Sequence, residues 1–97
     1  MMHPEPARPF AVVDVGSNSI RLVVFERLSR SMLTRFNERR FCGLGTSVAQ
    51  NGELGQDERY CALTTIRRYA LLARAMGATE VEILTTAAVR DATDGPA

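Results

Sequence analysis

A short polar turn between two apolar runs places the strongest constraint on how this 97-residue chain can fold. The runs are residues 10–14 and residues 20–28, in which Val, Ile, Leu and Phe predominate. Residues 15–19 include glycine, asparagine and two serines, which permit tight turns and local hydrogen bonds. Short apolar runs predict strands, and a turn this short predicts an antiparallel hairpin. The second strand begins with apolar residues on both faces, which predicts that it is covered on both sides.

A third strand and a loop are predicted after the hairpin. Residues 32–41 are more polar and carry several charges, which is typical of a strand near a sheet edge. Residues 43–52 contain three glycines in ten residues and predict a loop. The sequence assigns no chemical role to this loop.

The second half of the chain predicts helices around one further strand. A helix is predicted to begin at Asp57, whose side chain can cap the first turn, and to end at Gly77. Residues 81–84 predict a fourth strand, and a second helix is predicted from near Ala87. The element order is therefore β-β-β-α-β-α, which indicates an α/β fold with a mixed sheet. The apolar face of the first helix is predicted from Leu63, Ile66, Ala70 and Ala73.

The composition is that of one small globular domain. Hydrophobic residues make up 45% of the chain and charged residues 24%, so most of its length is expected to fold. Residues 1–9 hold three prolines and are predicted to be a disordered lead-in, which leaves residues 10–97 for the domain. The net charge of +1 gives no electrostatic case for nucleic acid as a partner. No apolar run is long enough to predict a membrane span.

The kinds of side chain present exclude two chemistries. All twelve basic residues are arginine, and because a P-loop needs a lysine on its phosphates, the chain is not a Walker-type NTPase. Arginine itself is well suited to bidentate binding of phosphate. Cys42 and Cys61 are too few and too widely spaced for a disulfide framework or a zinc site. They are expected to be reduced thiols of a cytosolic protein.

The turn after the first strand carries the residues with chemical content. Asp14 closes an apolar strand, where a carboxylate is useful only if something binds it, and it is a candidate ligand for Mg²⁺. Successive backbone N–H groups in a glycine-containing turn can bind an anion. A plain hairpin turn, with Asp and Asn present for their turn propensity, is the competing interpretation. The candidate phosphate-binding residues of this segment are Gly16, Ser17, Asn18, Ser19 and Arg21.

The sequence DVGSNSIR at residues 14–21 resembles the first phosphate motif of the exopolyphosphatase/guanosine pentaphosphatase (Ppx/GppA) family. That motif reads D-x-G-S-N-S followed by an apolar and a basic residue. The D-x-G part is shared with actin, heat-shock ATPases and sugar kinases, and the S-N-S part narrows the resemblance to this family. TAAVRDA at residues 86–92 resembles the family's (A/S)-T-(S/A)-A-x-R-x-A stretch, which follows the fourth strand and opens a helix.

The resemblance implies a fold and a chemistry. The fold is the N-terminal lobe of an actin-like, ribonuclease H-like ATPase domain with an incomplete mixed sheet. The activity is that of a cytoplasmic hydrolase, homodimeric at full length, that uses Mg²⁺ and water to remove terminal phosphate from polyphosphate or guanosine pentaphosphate. By position, Asp14 would assist the metal, residues 16–19 would line the phosphate loop, and Arg21 and Arg90 would contact phosphate. The family's catalytic glutamate and second phosphate loop are expected beyond Ala97, so no general base is named.

Several functions stay open from the sequence. Hydrolysis of guanosine pentaphosphate would use this half of the site in the same way as hydrolysis of polyphosphate. A kinase lobe of the same fold would explain Asp14 and Gly16, but it needs neither the S-N-S residues nor Arg90. A non-catalytic binding or assembly module would also suit a chain that carries part of a site. An exposed sheet edge further predicts that the isolated chain self-associates or is partly disordered.

Overall fold

The first five predicted elements are found in the structure, a computed structural model that describes residues 9–28, 31–45 and 55–85, apart from the Leu28 side chain. The described elements run β-β-β-α-β. The second predicted helix, from near Ala87, lies outside the described residues. The elements are β1 (Pro9–Val15), β2 (Ser19–Leu28), β3 (Ser31–Phe41), α1 (Gln56–Ala75) and β4 (Glu80–Thr85).

The four strands form one mixed sheet in the order β3-β2-β1-β4. β1 pairs antiparallel with β2, and β2 pairs antiparallel with β3, which confirms the hairpin and the edge position of the third strand. β1 pairs with β4 in parallel. A parallel pair needs a long crossover between its strands, and α1 lies in that connection. The mixed α/β architecture predicted from the sequence is therefore confirmed.

The core lies between one face of the sheet and α1. Alternate residues of β1 and β2 point to this face because side chains alternate along a strand. α1 covers them with four buried residues spaced three and four apart. On the opposite face, Val12, Val23 and Phe25 are only partly buried. The prediction that β2 is covered on both sides is thus wrong for the described residues, because α1 packs on one face only. The buried residues of the described parts of the chain are Ala11, Val13, Val15, Ile20, Leu22, Val24, Leu44, Ala62, Thr65, Tyr69, Ala73 and Ala78.

The inward face of α1 differs from the predicted one. Leu63 was expected to be buried, yet 59% of its surface is exposed. The buried residues Ala62, Thr65 and Tyr69 each lie one position before a residue of the predicted face. Ala73 was predicted to be buried and is buried. Small residues let the helix approach the bulky strands, and Tyr69 fills the space that remains. Side-chain volume therefore determines which face of α1 packs against the sheet, whereas hydrophobicity alone favours burial of Leu63.

The ends of α1 are set by backbone groups. Gly55 occupies the N-cap position without a side-chain hydrogen bond, and Asp57 lies within the first turn, so the predicted capping role of Asp57 is wrong. A carboxylate in the first turn still favours the positive end of the helix dipole. Gly77 follows the helix with a φ of 91°, as a C-terminal glycine should. Its N–H donates to the Arg74 carbonyl oxygen at 2.9 Å, and that of Ala78 donates to Ala73 at the same distance.

A disulfide joins Cys42 to Cys61, with their Cα atoms 5.7 Å apart. The expectation of two reduced thiols is therefore wrong. The two residues are separated by 19 positions, but α1 folds back over the sheet and brings its first turns beside the end of β3. The Cα separation is typical of a disulfide. The bond fixes the start of α1 to the segment that follows β3.

Two boundaries also differ from the prediction. β1 begins at Pro9, one residue before the predicted start of the domain, and residues 1–8 lie outside the described part of the chain. Leu44 and Gly45 are helical and Leu44 is buried, where a loop was predicted. In the described parts of the chain, no helix has both the length and the apolar character needed to cross a membrane.

Candidate phosphate-binding site

The candidate site is the turn that joins β1 to β2. Val15 and Ile20 form the last residue pair of the hairpin. Beyond them, the Gly16 N–H donates to the Ser19 carbonyl oxygen at 2.9 Å and closes the turn. Ser17 and Asn18 form its tip, with Asn18 exposed and Ser17 partly buried. The predicted turn is therefore present, and its tip is open to a ligand.

The segment after β3 holds the tip from one side. The N–H groups of Cys42 and Gly43 both donate to the Asn18 carbonyl oxygen, at 3.0 and 3.1 Å. The Gly45 N–H donates to the Ser17 carbonyl oxygen at 2.6 Å. Both carbonyl groups at the tip are thus bound by backbone donors, which fixes the orientation of the peptide groups. The disulfide at Cys42 extends this support to α1.

The N–H groups at the tip, unlike its carbonyl groups, have no backbone hydrogen-bond partner among the described residues. Within the described residues, the N–H groups of Ser17 and Asn18 donate to no other backbone group. Two successive N–H groups with no backbone acceptor form the kind of concavity that binds anions. The flanking hydroxyl groups of Ser17 and Ser19 are further possible donors. The two tip N–H groups and the two serine hydroxyl groups are therefore the candidate phosphate donors of the turn.

Gly45 is a residue of the site that the sequence did not identify. A Cβ placed on it would lie 2.7 Å from Ser17 Cβ, which is closer than packed carbon atoms come. Glycine is therefore needed for this segment to approach the turn. The high glycine content of residues 43–52 was the available signal, but it could not show which part of the chain would be approached.

Asp14 and Arg21 are brought together as cross-strand partners. The two residues face each other in the β1–β2 register and therefore share the face of the sheet that α1 leaves open. Asp14 is exposed, and Arg21 is partly buried. Arg39 is the partner of Arg21 on β3, so the same row continues with a second arginine. Only the strand register reveals Arg39. Arg90, the other predicted phosphate contact, lies outside the described residues.

The ligands available at this turn suit an ion such as Mg²⁺, which takes most of its ligands from water and phosphate. They do not suit an ion that is held by several protein side chains. Among the described residues, no group of three His, Cys, Asp or Glu side chains lies close enough together to hold a metal ion. Asp14 provides one exposed carboxylate beside the phosphate turn. Mg²⁺ is commonly held by one or two carboxylates together with water and phosphate oxygens. Asp14 therefore fits a metal that arrives with a phosphate ligand.

Two glutamates of the sheet, Glu26 and Glu38, form ion pairs with arginines. Glu26 Oε2 lies 3.0 Å from Arg35 Nη1, and Glu38 lies 3.4 Å from Arg68 Nη2. Glu26 pairs with Pro9 at the end of the hairpin opposite the phosphate turn. Neither pairing places a free general base beside the turn, and the general base stays unassigned.

Known proteins share this architecture. No family model matches the sequence, and no curated protein sequence matches it. The structure of a Ppx/GppA family member from Aquifex aeolicus superposes with a TM-score of 0.86 at 26% identity, over 92% of this chain and 29% of that one. A second structure of an Aquifex aeolicus Ppx/GppA enzyme gives a TM-score of 0.83 at 27% identity, over 92% and 30% of the two chains.

A third solved structure is similar to this chain at lower sequence identity, and its similarity supports the fold assignment alone. An exopolyphosphatase from Cytophaga hutchinsonii gives a TM-score of 0.82 at 23% identity, over 90% of this chain and 28% of that one. The chain thus spans less than a third of the length of these proteins. Ppx/GppA structures have the actin-like ATPase fold, so that prediction is confirmed. The turn, the strand order and these likenesses agree, and the described part of the chain has the fold of the corresponding part of the Ppx/GppA structures.

Proposed function

We propose that this chain supplies the first phosphate-binding loop of a phosphohydrolase that releases the terminal phosphate of inorganic polyphosphate. The observation that carries the proposal is the pair of tip N–H groups, at Ser17 and Asn18, that have no backbone acceptor among the described residues. The likeness to two Ppx/GppA structures at 26% and 27% identity supports the reaction class. A plain hairpin turn would not need its two tip carbonyl groups bound by a separate segment of the chain.

The chemistry that follows is positioning and charge stabilisation. Phosphoryl transfer spreads negative charge over the oxygens of the transferred group, and fixed donors stabilise that charge. The N–H groups of Ser17 and Asn18 are held in place before substrate binds, because the adjoining carbonyl groups are already bound. Arg21 on the neighbouring strand adds a permanent positive charge that can bind phosphate oxygens through two N–H groups.

Asp14 is proposed to hold Mg²⁺ at the phosphate. When bound, the ion would neutralise phosphate charge and orient the phosphate oxygens. The role of Asp14 is to supply one carboxylate ligand or to bind a metal-coordinated water. Its exposed position beside the turn leaves room for the remaining ligands to come from water and substrate.

The proposal assigns the attacking water to no residue of this chain. The general base and the second phosphate loop are proposed to come from other parts of the complete protein. We therefore expect the 97 residues alone to bind phosphate without releasing it from polyphosphate. Release by the pure chain above a buffer blank, abolished by Asp14→Asn, would contradict this division of the site.

The test is phosphate release by the complete protein with Mg²⁺, comparing polyphosphate with guanosine pentaphosphate. Asp14→Asn should lower the rate at least tenfold, since a lost charge-assisted contact is worth about 1.5–3 kcal/mol. Asp57→Asn is the matched control, because it makes the same change at an exposed carboxylate in the first turn of α1. It should retain the rate. Faster release from guanosine pentaphosphate would overturn the substrate, and equal rates in both variants would overturn the role of Asp14.

A further inference from the structure

A second polar cleft lies on the other side of the sheet from Asp14, between the end of β3 and the middle of α1. Its volume is about 350 Å³. That volume is in the lower range of small-ligand sites. Every residue that lines it carries a charge or a hydroxyl group. The lining residues are Glu38, Arg39, Arg40, Thr65, Arg68 and Tyr69.

The cleft carries excess positive charge, because Arg40 and Arg68 stand against one glutamate, Glu38, whereas the register places the Arg39 side chain on the opposite face with Arg21. Arg68 contacts both carboxylate oxygens of Glu38 through one nitrogen, Nη2, at 3.4 Å. That distance is longer than the 2.7–2.9 Å of a strong charged hydrogen bond. Because a guanidinium has five donors, the other N–H groups of Arg68 are not used by Glu38. The Arg68 side chain is 55% exposed, so an anion can reach it.

Tyr69 is the unusual feature of the cleft. The residue is 1% exposed, and its hydroxyl oxygen is buried without a hydrogen-bond partner among the described residues. A buried polar group without a partner costs about 1–3 kcal/mol. Phenylalanine would fill the same space without that cost. The hydroxyl therefore calls for a partner that the described residues do not supply.

The Tyr69 hydroxyl is kept in its donor form. Burial raises the pKa of Tyr69, and the negative charge of Glu38 raises it further, against the lowering effect of Arg68 and Arg40. A tyrosine with a raised pKa is protonated at neutral pH and can donate to an acceptor. The charges of Arg40 and Arg68 act on the same hydroxyl. An anionic acceptor placed there would meet one neutral and two positive donors.

We propose that this cleft is a second phosphate-binding site, in which Arg40, Arg68 and Tyr69 bind the oxygens of one phosphate group. A phosphate group presents several oxygens in different directions, which suits donors that come from both β3 and α1. A carboxylate can also accept three hydrogen bonds, but its two oxygens lie in one plane, which suits donors from two different elements less well. The proposal goes beyond the proposed function and does not depend on it.

The cleft is close to the phosphate turn along the chain. Arg40 lies two residues before Cys42, whose N–H binds the Asn18 carbonyl oxygen. Two residues of a strand span about 7 Å. The phosphate group can therefore be free inorganic phosphate or one unit of a polyphosphate chain, and the two sources are separable by experiment.

The test measures binding of inorganic phosphate and of tripolyphosphate to this chain by calorimetry, with hydrogen exchange to locate the site. Both ligands should slow exchange in residues 38–40 and 65–69. Arg40→Gln should weaken binding at this site about tenfold, as expected for one charge-assisted hydrogen bond. Arg67→Gln is the matched control, because it removes the same charge from an exposed neighbouring position on α1. It should change the affinity less than twofold.

Tyr69→Phe separates a binding role from a structural one. The variant should keep or raise the melting temperature, because it removes the unpartnered hydroxyl, and it should weaken phosphate binding several-fold. Tighter binding of tripolyphosphate would identify a polyphosphate segment, and equal or weaker binding would identify free phosphate. The proposal is overturned if exchange in residues 38–40 and 65–69 does not respond to either ligand. Equal affinities in Arg40→Gln, Tyr69→Phe and the control would overturn it as well.

Discussion

Loss of the Cys42–Cys61 disulfide is expected to lower the free energy of unfolding by about 3 kcal/mol. The bond closes a loop with a sequence separation of 19, and the loss of chain entropy for a loop of this size gives about 3 kcal/mol. A domain of this length has a total stability of about 5–15 kcal/mol, so the bond is a substantial share of it. At about 4–8 °C per kcal/mol, the melting temperature should fall by about 12–24 °C.

Thermal unfolding followed by circular dichroism tests this expectation. The oxidised protein is compared with the protein in dithiothreitol and with the double variant Cys42→Ser/Cys61→Ser. The reduced protein and the double variant should melt together, below the oxidised protein, and reductant should not affect the double variant. Amide exchange at Cys42 and Gly43 should also become faster on reduction, because both N–H groups hold the Asn18 carbonyl.

Two outcomes would refute the reasoning about the disulfide. The first is a count of two free thiols in protein purified without reductant. The second is a difference of less than about 1 kcal/mol between the oxidised and reduced forms, since the chain-entropy estimate is about three times larger. The first result would return the two cysteines to the reduced state expected from the sequence, and the second would show that the bond adds little stability.

Three further predictions concern the core, the support of the turn and the alkaline limit of stability. Leu22→Ala should lower the free energy of unfolding in urea by about 2–5 kcal/mol, because Leu22 is fully buried. Leu63→Ala, at a residue that is 59% exposed, should change it by less than about 0.5 kcal/mol, and equal effects would contradict the packing of α1. Gly45→Ala should cost about 1–3 kcal/mol, because its Cβ would meet Ser17; an unchanged melting curve would show that the approach is looser. Burial raises the pKa of Tyr69 above 10.0, so the stability it contributes is present below pH 10 and is lost as pH rises through the folded pKa. The chain contains no lysine, so Tyr69→Phe should clearly reduce the stability loss measured above pH 10, and an undiminished loss would contradict this assignment.

The hairpin and the order of elements along the chain followed from the sequence because local patterns determine them. Apolar runs with a short turn between them specify an antiparallel pair, and a helix before a fourth strand specifies a parallel pair. The turn between β1 and β2 was predicted for the same reason, since residues 14–21 are contiguous in sequence. These features depend on neighbours along the chain.

What the sequence did not reveal depends on contacts between distant residues. The pairing of Cys42 with Cys61 exists only once α1 has packed on the sheet, and the contact of Gly45 with Ser17 exists only once the segment after β3 has met the β1–β2 turn. The inward face of α1 was mispredicted because Leu63 outweighs Ala62 in hydrophobicity, although the sheet accepts the smaller residue. Arg39 joins Arg21 through strand register, which a single sequence specifies weakly.

The most direct test of the phosphate turn observes its two tip N–H groups. Backbone amide resonances of the chain are recorded by NMR during titration with inorganic phosphate in the presence of Mg²⁺. The account predicts saturable shifts of the Ser17 and Asn18 amide protons to higher frequency, as expected for N–H groups that gain an anionic acceptor. Unmoved Ser17 and Asn18 amides at phosphate concentrations that shift other residues of the chain would contradict it, and the turn would then be a structural hairpin.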